Sequence, residues 1–395
     1  MNTLEPPPAE PLPLSDAAAA LVAEGPVFDA HVDSIQRALD LGHDLGARTP
    51  GHLDLVRGRA GGLGAVVLVS WVDPAYVERA GASAERARAL MGASHALAAR
   101  HPEAVALVGD AANFDAARAR GAIAGICGIE GGHALEEDLG RLELFHEHGL
   151  RILTLVWNNH LSWIRSCKPD AGAGVPEGLS DFGRQVVRRM NELGVIVDLS
   201  HAGERSFYDA LDTSQQPVVA SHSGCRALSD HDRNLTDEQL VALGQQGGVV
   251  GIVFHPGFLD EGAREEEGRV RATSAYREHD AEPNETQRFL QQSSVMRRDA
   301  RPLPAERVVE HVLHAIELAG VEHVGVGSDY DGIERGPRHL EDASCYGSLA
   351  ELLLQRGLSV DEVRLVLGGN MRRVFGAVTG PASAAHGRAI RPLVG

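Results

Sequence analysis

The sequence predicts an α/β fold, a (β/α)8 or TIM barrel, from three observations. Short apolar, β-prone runs alternate with longer amphipathic stretches. There are eight such runs, the number a closed parallel barrel needs. Five of them carry candidate histidines or carboxylates at or near their ends, which would gather those groups at one mouth.

In chain order the runs are "PVFDAHVD" (26–33), "GAVVLVSWV" (64–72), "AIAGICGIEGG" (122–132), "LRILTLVWNNH" (150–160), "GVIVDLSH" (194–201), "PVVASHS" (217–223), "GGVVGIVFH" (247–255) and "HVGVGSDYDG" (323–332). Near-continuous apolar runs mark strands covered on both faces, as in a parallel sheet. Between them, stretches such as 84–100, 181–193 and 305–319 carry helical spacing with Arg and Glu outward. A doubly wound open sheet is the competing arrangement; polar residues at the ends of so many different runs favour the barrel. Residues 1–20 read as a flexible, proline-rich lead-in and 21–380 as one barrel domain. Residues 256–304 form a long, charged, irregular excursion, a lid or a solvated loop, and 381–395 a tail.

A formal charge of −18 argues against nucleic acid or an anionic membrane as partner. No stretch of ~18 apolar residues is present to span a bilayer, and the N-terminus does not read as a signal peptide. Cys127, Cys167, Cys225 and Cys345 are scattered, with no CxxC pair, which suits a reducing compartment; a cytoplasmic location is expected. "GGLGAVV" (61–67) precedes a strand rather than following one, so it is no dinucleotide fingerprint.

The chemistry sits at the run ends. His31 and Asp33 share a strand face, since side chains alternate with a period of two. Glu130, His201, His222 and Asp329 end the third, fifth, sixth and eighth runs. Singly, each is an ordinary structural histidine or helix-capping acid. Together, three imidazoles and three carboxylates at one barrel mouth call for a cation, because massed carboxylates repel. Imidazole with carboxylate and no thiolate suits zinc, manganese, iron or nickel. Three histidines and two acids exceed one open catalytic zinc and suit two metals sharing a bridge. The sole lysine, Lys168, lies in "SCKPDAGAG", past the end of the fourth run; Glu130 is the better bridge.

These residues sit in "FDAHVDS", "GIEGGHAL", "GVIVDLSH", "VVASHSGCRALSDHDRNLTDEQL", "HVGVGSDYDG" and "GGNMRRVF". In them the chain resembles the membrane (renal) dipeptidase family, peptidase family M19 of the amidohydrolase superfamily, from about Val27 to about Phe375. The resemblance implies a barrel of the metal-dependent hydrolase type holding two divalent ions, zinc by expectation. His31, Asp33 and Glu130 would hold one; Glu130, His201 and His222 the other. Asp329 would shuttle the proton and Arg233 would grip a substrate carboxylate. A small dipeptide is the expected substrate, cleaved through a metal-bridging hydroxide, and a homodimer is implied.

One position departs from the family. "LTLVWNNHLSW" puts Trp157 where animal relatives carry a substrate-binding histidine, with His160 three residues on. Trp157 offers an N–H donor to the substrate or packs in the barrel. The departure leaves room for another small amide, an N-acyl-D-amino acid or a lactam. A non-catalytic binding protein would be expected to have lost ligands, and all five are in place. Asp29, Asp198 and His133 are candidates for orienting the ligands, His133 alternatively for shaping the turn after Glu130.

Overall fold

The computed structural model describes residues 9–380 and 390–393. Among these, nine strands occur, all paired in parallel: β1 (Val27–Val32), β2 (Leu63–Trp71), β3 (Val105–Leu107), β4 (Ile123–Glu130), β5 (Leu150–Thr154), β6 (Ile196–Asp198), β7 (Val219–Ser223), β8 (Val249–Ile252) and β9 (Val324–Val326). Eight close a ring in the order β1-β2-β4-β5-β6-β7-β8-β9, with β9 back on β1. This is a (β/α)8 barrel, and each expected run contributes one stave.

Strand β3 lies outside the ring. It pairs with the first half of β4, Val105 opposite Ile123 and Leu107 opposite Gly125, before β5 joins β4 at Cys127. Three residues, only one of them buried, leave no period to read in the sequence.

The barrel interior is filled by alternate residues. Ala65, Val67 and Val69 of β2 and Ala124 and Ile126 of β4 meet Ile152, Ile196, Val219 and Val249. Helix Asn370–Thr379 adds Met371, Val374, Phe375 and Val378 and touches β1, β6, β8 and β9. Only an element plugging one end of a barrel reaches such scattered staves, so this end is closed with apolar side chains. The expected helices are present as Ala82–Arg100, Asp181–Leu193 and Glu306–Ala319.

Two expectations need correction. The 256–304 excursion is helical rather than irregular: Glu261–Arg271 and Glu285–Asp299 are its main helices, capped by Asp260 and Asn284. Val270, Val295, Met296 and Ala300 form a small core of their own, too sparse to stand out among the charges. Residues 16–20 of the expected flexible lead-in belong to helix Asp16–Glu24, capped by Ser15. Ahead of it, the Leu12 N–H donates to Ser348 Oγ (2.9 Å) and the Ser15 N–H to Glu351 Oε2 (2.8 Å), docking the segment on helix Tyr346–Gln355. Of the tail, Arg391 N–H donates to the Glu147 carbonyl (2.9 Å); residues 1–8, 381–389 and 394–395 lie outside the described residues. No described helix is long and apolar enough to cross a membrane.

Candidate metal centre and active site

At the C-terminal end of the staves, Glu130 divides its carboxylate. Oε1 lies 2.9 Å from His201 Nε2 and 3.4 Å from His222 Nε2, while Oε2 lies 3.6 Å from His31 Nε2. Asp33 Oδ2 is 3.5 Å from His31 Nε2. Two triads result, His31–Asp33–Glu130 and Glu130–His201–His222, each with ligand atoms within 4.8 Å of one another. The sequence-expected residues are thus brought together, with Glu130 common to both sets.

Hydrogen bonds behind the imidazoles fix which nitrogen faces the centre. Ser221 Oγ gives its proton to Asp198 Oδ2 (2.6 Å) and lies 2.9 Å from His222 Nδ1 and 3.2 Å from His31 Nδ1. A hydroxyl that has donated its one proton can only accept, so both Nδ1 atoms carry hydrogen. His201 Nδ1 likewise donates to Asn158 Oδ1 (3.0 Å). All three Nε2 atoms therefore face carboxylate oxygens, and His201 Nε2 and His222 Nε2 stand 3.1 Å apart. Against burial, the Glu130 and Asp33 charges hold His31 well above its ordinary range, a pull that a metal ion would answer in place of a proton. His31 Nε2 and Asp33 Oδ1 are buried without a hydrogen-bond partner. Lone pairs packed against lone pairs repel unless a cation lies between them, so the donor set fits divalent metal.

Asp198 also groups with His31 and His222, but as their support. Its oxygens already accept from the Ser221 N–H (2.8 Å), the Ser200 N–H (3.1 Å), Thr154 Oγ (2.5 Å) and Ser221 Oγ. Asp29, fully buried within β1, accepts from the His31 and Ser328 N–H groups and the Tyr346 hydroxyl. His133 Nε2 meets the Val72 carbonyl at 2.9 Å, so it shapes the turn after Glu130.

Charge states follow the same geometry. Burial, reinforced by Arg233, pushes His201 down to about 3 and holds His222 well below its ordinary range. Both stay neutral, as metal ligands must. Burial, with the Asp33 and Glu130 charges adding to it, raises Asp329 well above the ordinary carboxylate range. Asp329 occupies the left-handed region (φ 62°), as does His201 (φ 67°), so backbone strain collects at the centre. Gly332 lets the acids approach: a Cβ there would lie 2.3 Å from Asp329 Oδ1 and 2.5 Å from Asp33 Oδ2.

The centre floors a cavity of about 470 Å³, large enough for a small peptide. Arg233, 4 % exposed, lines it; Nη2 donates to the His222 carbonyl (3.0 Å) and Nε has no partner. Its guanidinium stands over Phe258, 5.4 Å from the ring centre. Trp157 lines the wall, 5.9 Å from the His201 ring and 5.4 Å from Trp71. His160 instead holds its own loop, accepting from the Ser166 N–H (3.1 Å). Lys168 does line the cavity, but Glu130 occupies the bridging position.

Sequence reasoning missed Asn158, Ser221, Trp71, Asp73, Phe258 and Glu285. Ser221 and Asn158 adjoin recognised residues, in "SHS" and "VWNN", and a hydroxyl or amide beside a ligand is the available signal. The others reach the cavity only through tertiary packing.

Comparison with known proteins agrees with this geometry. The family model described as membrane dipeptidase (peptidase family M19) matches residues 15–388. Dipeptidase tcpJ of Claviceps purpurea (strain 20.1) is 34% identical over 267 residues, 68% of this chain and 54% of that protein. The chain thus spans about half the length of the curated relatives it matches. A crystal structure of dipeptidase AC, a metallo peptidase of family M19, superposes with a TM-score of 0.73 at 27% identity, covering 89% of this chain and 98% of that one. A metallo peptidase from Rhodobacter sphaeroides, liganded with a phosphinate mimic of the dipeptide L-Ala-D-Ala, gives 0.74 at 27% identity, covering 89% and 99%. With a match along nearly its whole length, this chain belongs to the membrane dipeptidase family, peptidase family M19.

Proposed function

We propose that this protein is a metal-dependent dipeptidase with a two-metal centre. The observation that carries the reading is Glu130, whose two oxygens face two separate sets of ligands. His31, Asp33 and Glu130 would hold one divalent ion and Glu130, His201 and His222 the other, zinc being the expected metal. When bound, the pair supplies an activated water and a Lewis acid for the peptide carbonyl.

The chain's own residues do the rest. Asp329, buried and raised, takes the proton of the attacking water and passes it to the leaving amine. Arg233 is desolvated and keeps N–H groups for a ligand, so it pairs with the substrate's C-terminal carboxylate. That grip sets the distance from the free carboxylate to the scissile bond and favours dipeptides over longer chains. Trp157 walls the site beside His201 without adding charge.

The test is metal analysis with a substrate panel. About two ions per chain and turnover of L,L- or L,D-dipeptides are expected. Turnover of N-acyl-D-amino acids or lactams alone, with metal present, would move the substrate class to another amide. No bound metal and no turnover would leave only the scaffold.

A further inference from the structure

In the ring order, β2 and β7 stand four staves apart, so the loops that follow them face each other across the mouth. Arg233 comes from the loop after β7 and is 4 % exposed, with Nε unpartnered in the cavity lining. Across from it, Asp73 follows β2, and Glu285 opens helix Glu285–Asp299 of the excursion; both line the same cavity. Both face the same cavity, and partial burial with the hydrogen bond and charge of Asp73 raises Glu285 to about 7, so the pair holds one proton between them near neutral pH.

Two cations stand near. Arg86 is committed, donating to Asp40 Oδ1 (2.6 Å) and Oδ2 (2.7 Å) and to Gln36 Oε1 (2.8 Å). Arg288 lies 3.7 Å from Glu285 Oε1 and donates to the Glu282 carbonyl (3.1 Å). With one proton shared, the pair's single charge is balanced by this one guanidinium, and an incoming cation displaces that proton to meet the second carboxylate. The approach is apolar: Trp71 precedes Asp73 by two residues, and Phe289 and Leu290 follow Glu285 by about one helical turn. An apolar channel ending in carboxylates complements a long aliphatic stem with a charged head.

We propose that Asp73 and Glu285 form the subsite for the side chain of the substrate's N-terminal residue and select a cationic one, lysine or arginine. The inference rests on the dipeptidase reading. With the C-terminal carboxylate on Arg233 and the scissile bond over the metal centre, the N-terminal residue extends toward the β2 side. Its α-ammonium is too close to the scissile carbonyl to leave the centre, whereas a long side chain reaches the half-exposed Glu285 at the rim.

The test compares kcat/KM for Lys-Ala and Arg-Ala with the neutral norleucine-Ala on the metal-loaded enzyme. The cationic dipeptides are expected to be favoured about tenfold. Asp73→Asn, which keeps the oxygen that accepts from the Ala75 N–H (2.6 Å), and Glu285→Gln should each lower that ratio severalfold, and the double variant should erase it. Metal content and melting temperature establish that the variants are folded. No preference in the wild type, or an equal loss on all three substrates, overturns the subsite while leaving the peptidase reading intact. If no dipeptide is hydrolysed, the peptidase reading fails by itself. The subsite is then judged by calorimetry with lysine- and norleucine-bearing phosphinate pseudodipeptides: tighter binding of the lysine compound supports it, and equal binding or none overturns it.

Discussion

Asp329 and Asp331 are two residues apart in one loop, both buried and both in the left-handed region, at φ 62° and 68°. Their surroundings are opposite. Asp331 accepts from the His52 N–H (2.7 Å), the Leu53 N–H (3.3 Å), the Ser34 hydroxyl and Arg37 Nη2 (2.8 Å). Against the cost of burial, Arg37 and these donors hold it well below the ordinary carboxylate range. Asp329 faces the acids Asp33 and Glu130 instead, and burial with their charge raises it. A buried carboxylate whose lone pairs are all satisfied is architecture. One left beside other acids keeps its proton available, which is what acid–base chemistry needs.

The largest expected effect separates the two. Asp329→Asn should lower dipeptide kcat by about 10²- to 10⁴-fold with metal content retained, the range for losing a general acid–base. Survival of activity would remove Asp329 from proton transfer. Asp331→Asn should instead cost about 3–5 kcal/mol of stability, because Arg37 is left buried without its counter-charge. Turnover per folded molecule should stay within a few-fold, checked by denaturant melts beside active-site-normalised rates.

Histidines sharpen the same contrast. His311, fully buried and outside the candidate ligand set, accepts from the Cys225 N–H through Nδ1 (2.9 Å) and donates through Nε2 to the Leu259 carbonyl (3.0 Å). Burial holds it down to about 4 from an ordinary 6.5. Below pH 6.5 the unfolded chain takes up a proton that the native chain refuses until about pH 4. The stability from this residue is therefore complete above 6.5 and falls as pH drops toward 4, by about 3 kcal/mol. His311→Gln should flatten that acid slope; an unchanged slope would show that His311 does not drive it. The smallest effect concerns Ser221. Ser221→Ala removes the acceptor behind His31 and His222, and metal affinity should weaken about 10- to 100-fold by competition with a chelator. A change below twofold would dismiss its part in setting both tautomers.

What the sequence made legible follows from periodicity. His31 and Asp33 share a strand face, and Glu130, His201 and His222 end or follow staves, so their convergence could be read once the eight runs were counted. Spacing does not separate the two acids of "SDYDG"; resemblance favours Asp329 for the proposed proton transfer, and the donors that occupy Asp331 are consistent with that reading. The helices of 256–304 were hidden because their apolar residues are few and their caps are single side chains. Glu285 meets Asp73 only after more than two hundred intervening residues have folded, a contact no local pattern encodes.

The most direct measurement is diffraction from crystals grown with zinc, with anomalous maps recorded at the zinc edge. Two peaks per chain are expected, one among His31, Asp33 and Glu130 and one among Glu130, His201 and His222, with one Glu130 oxygen on each. A single peak, or a Glu130 carboxylate turned away from both sets, would contradict the shared-glutamate centre.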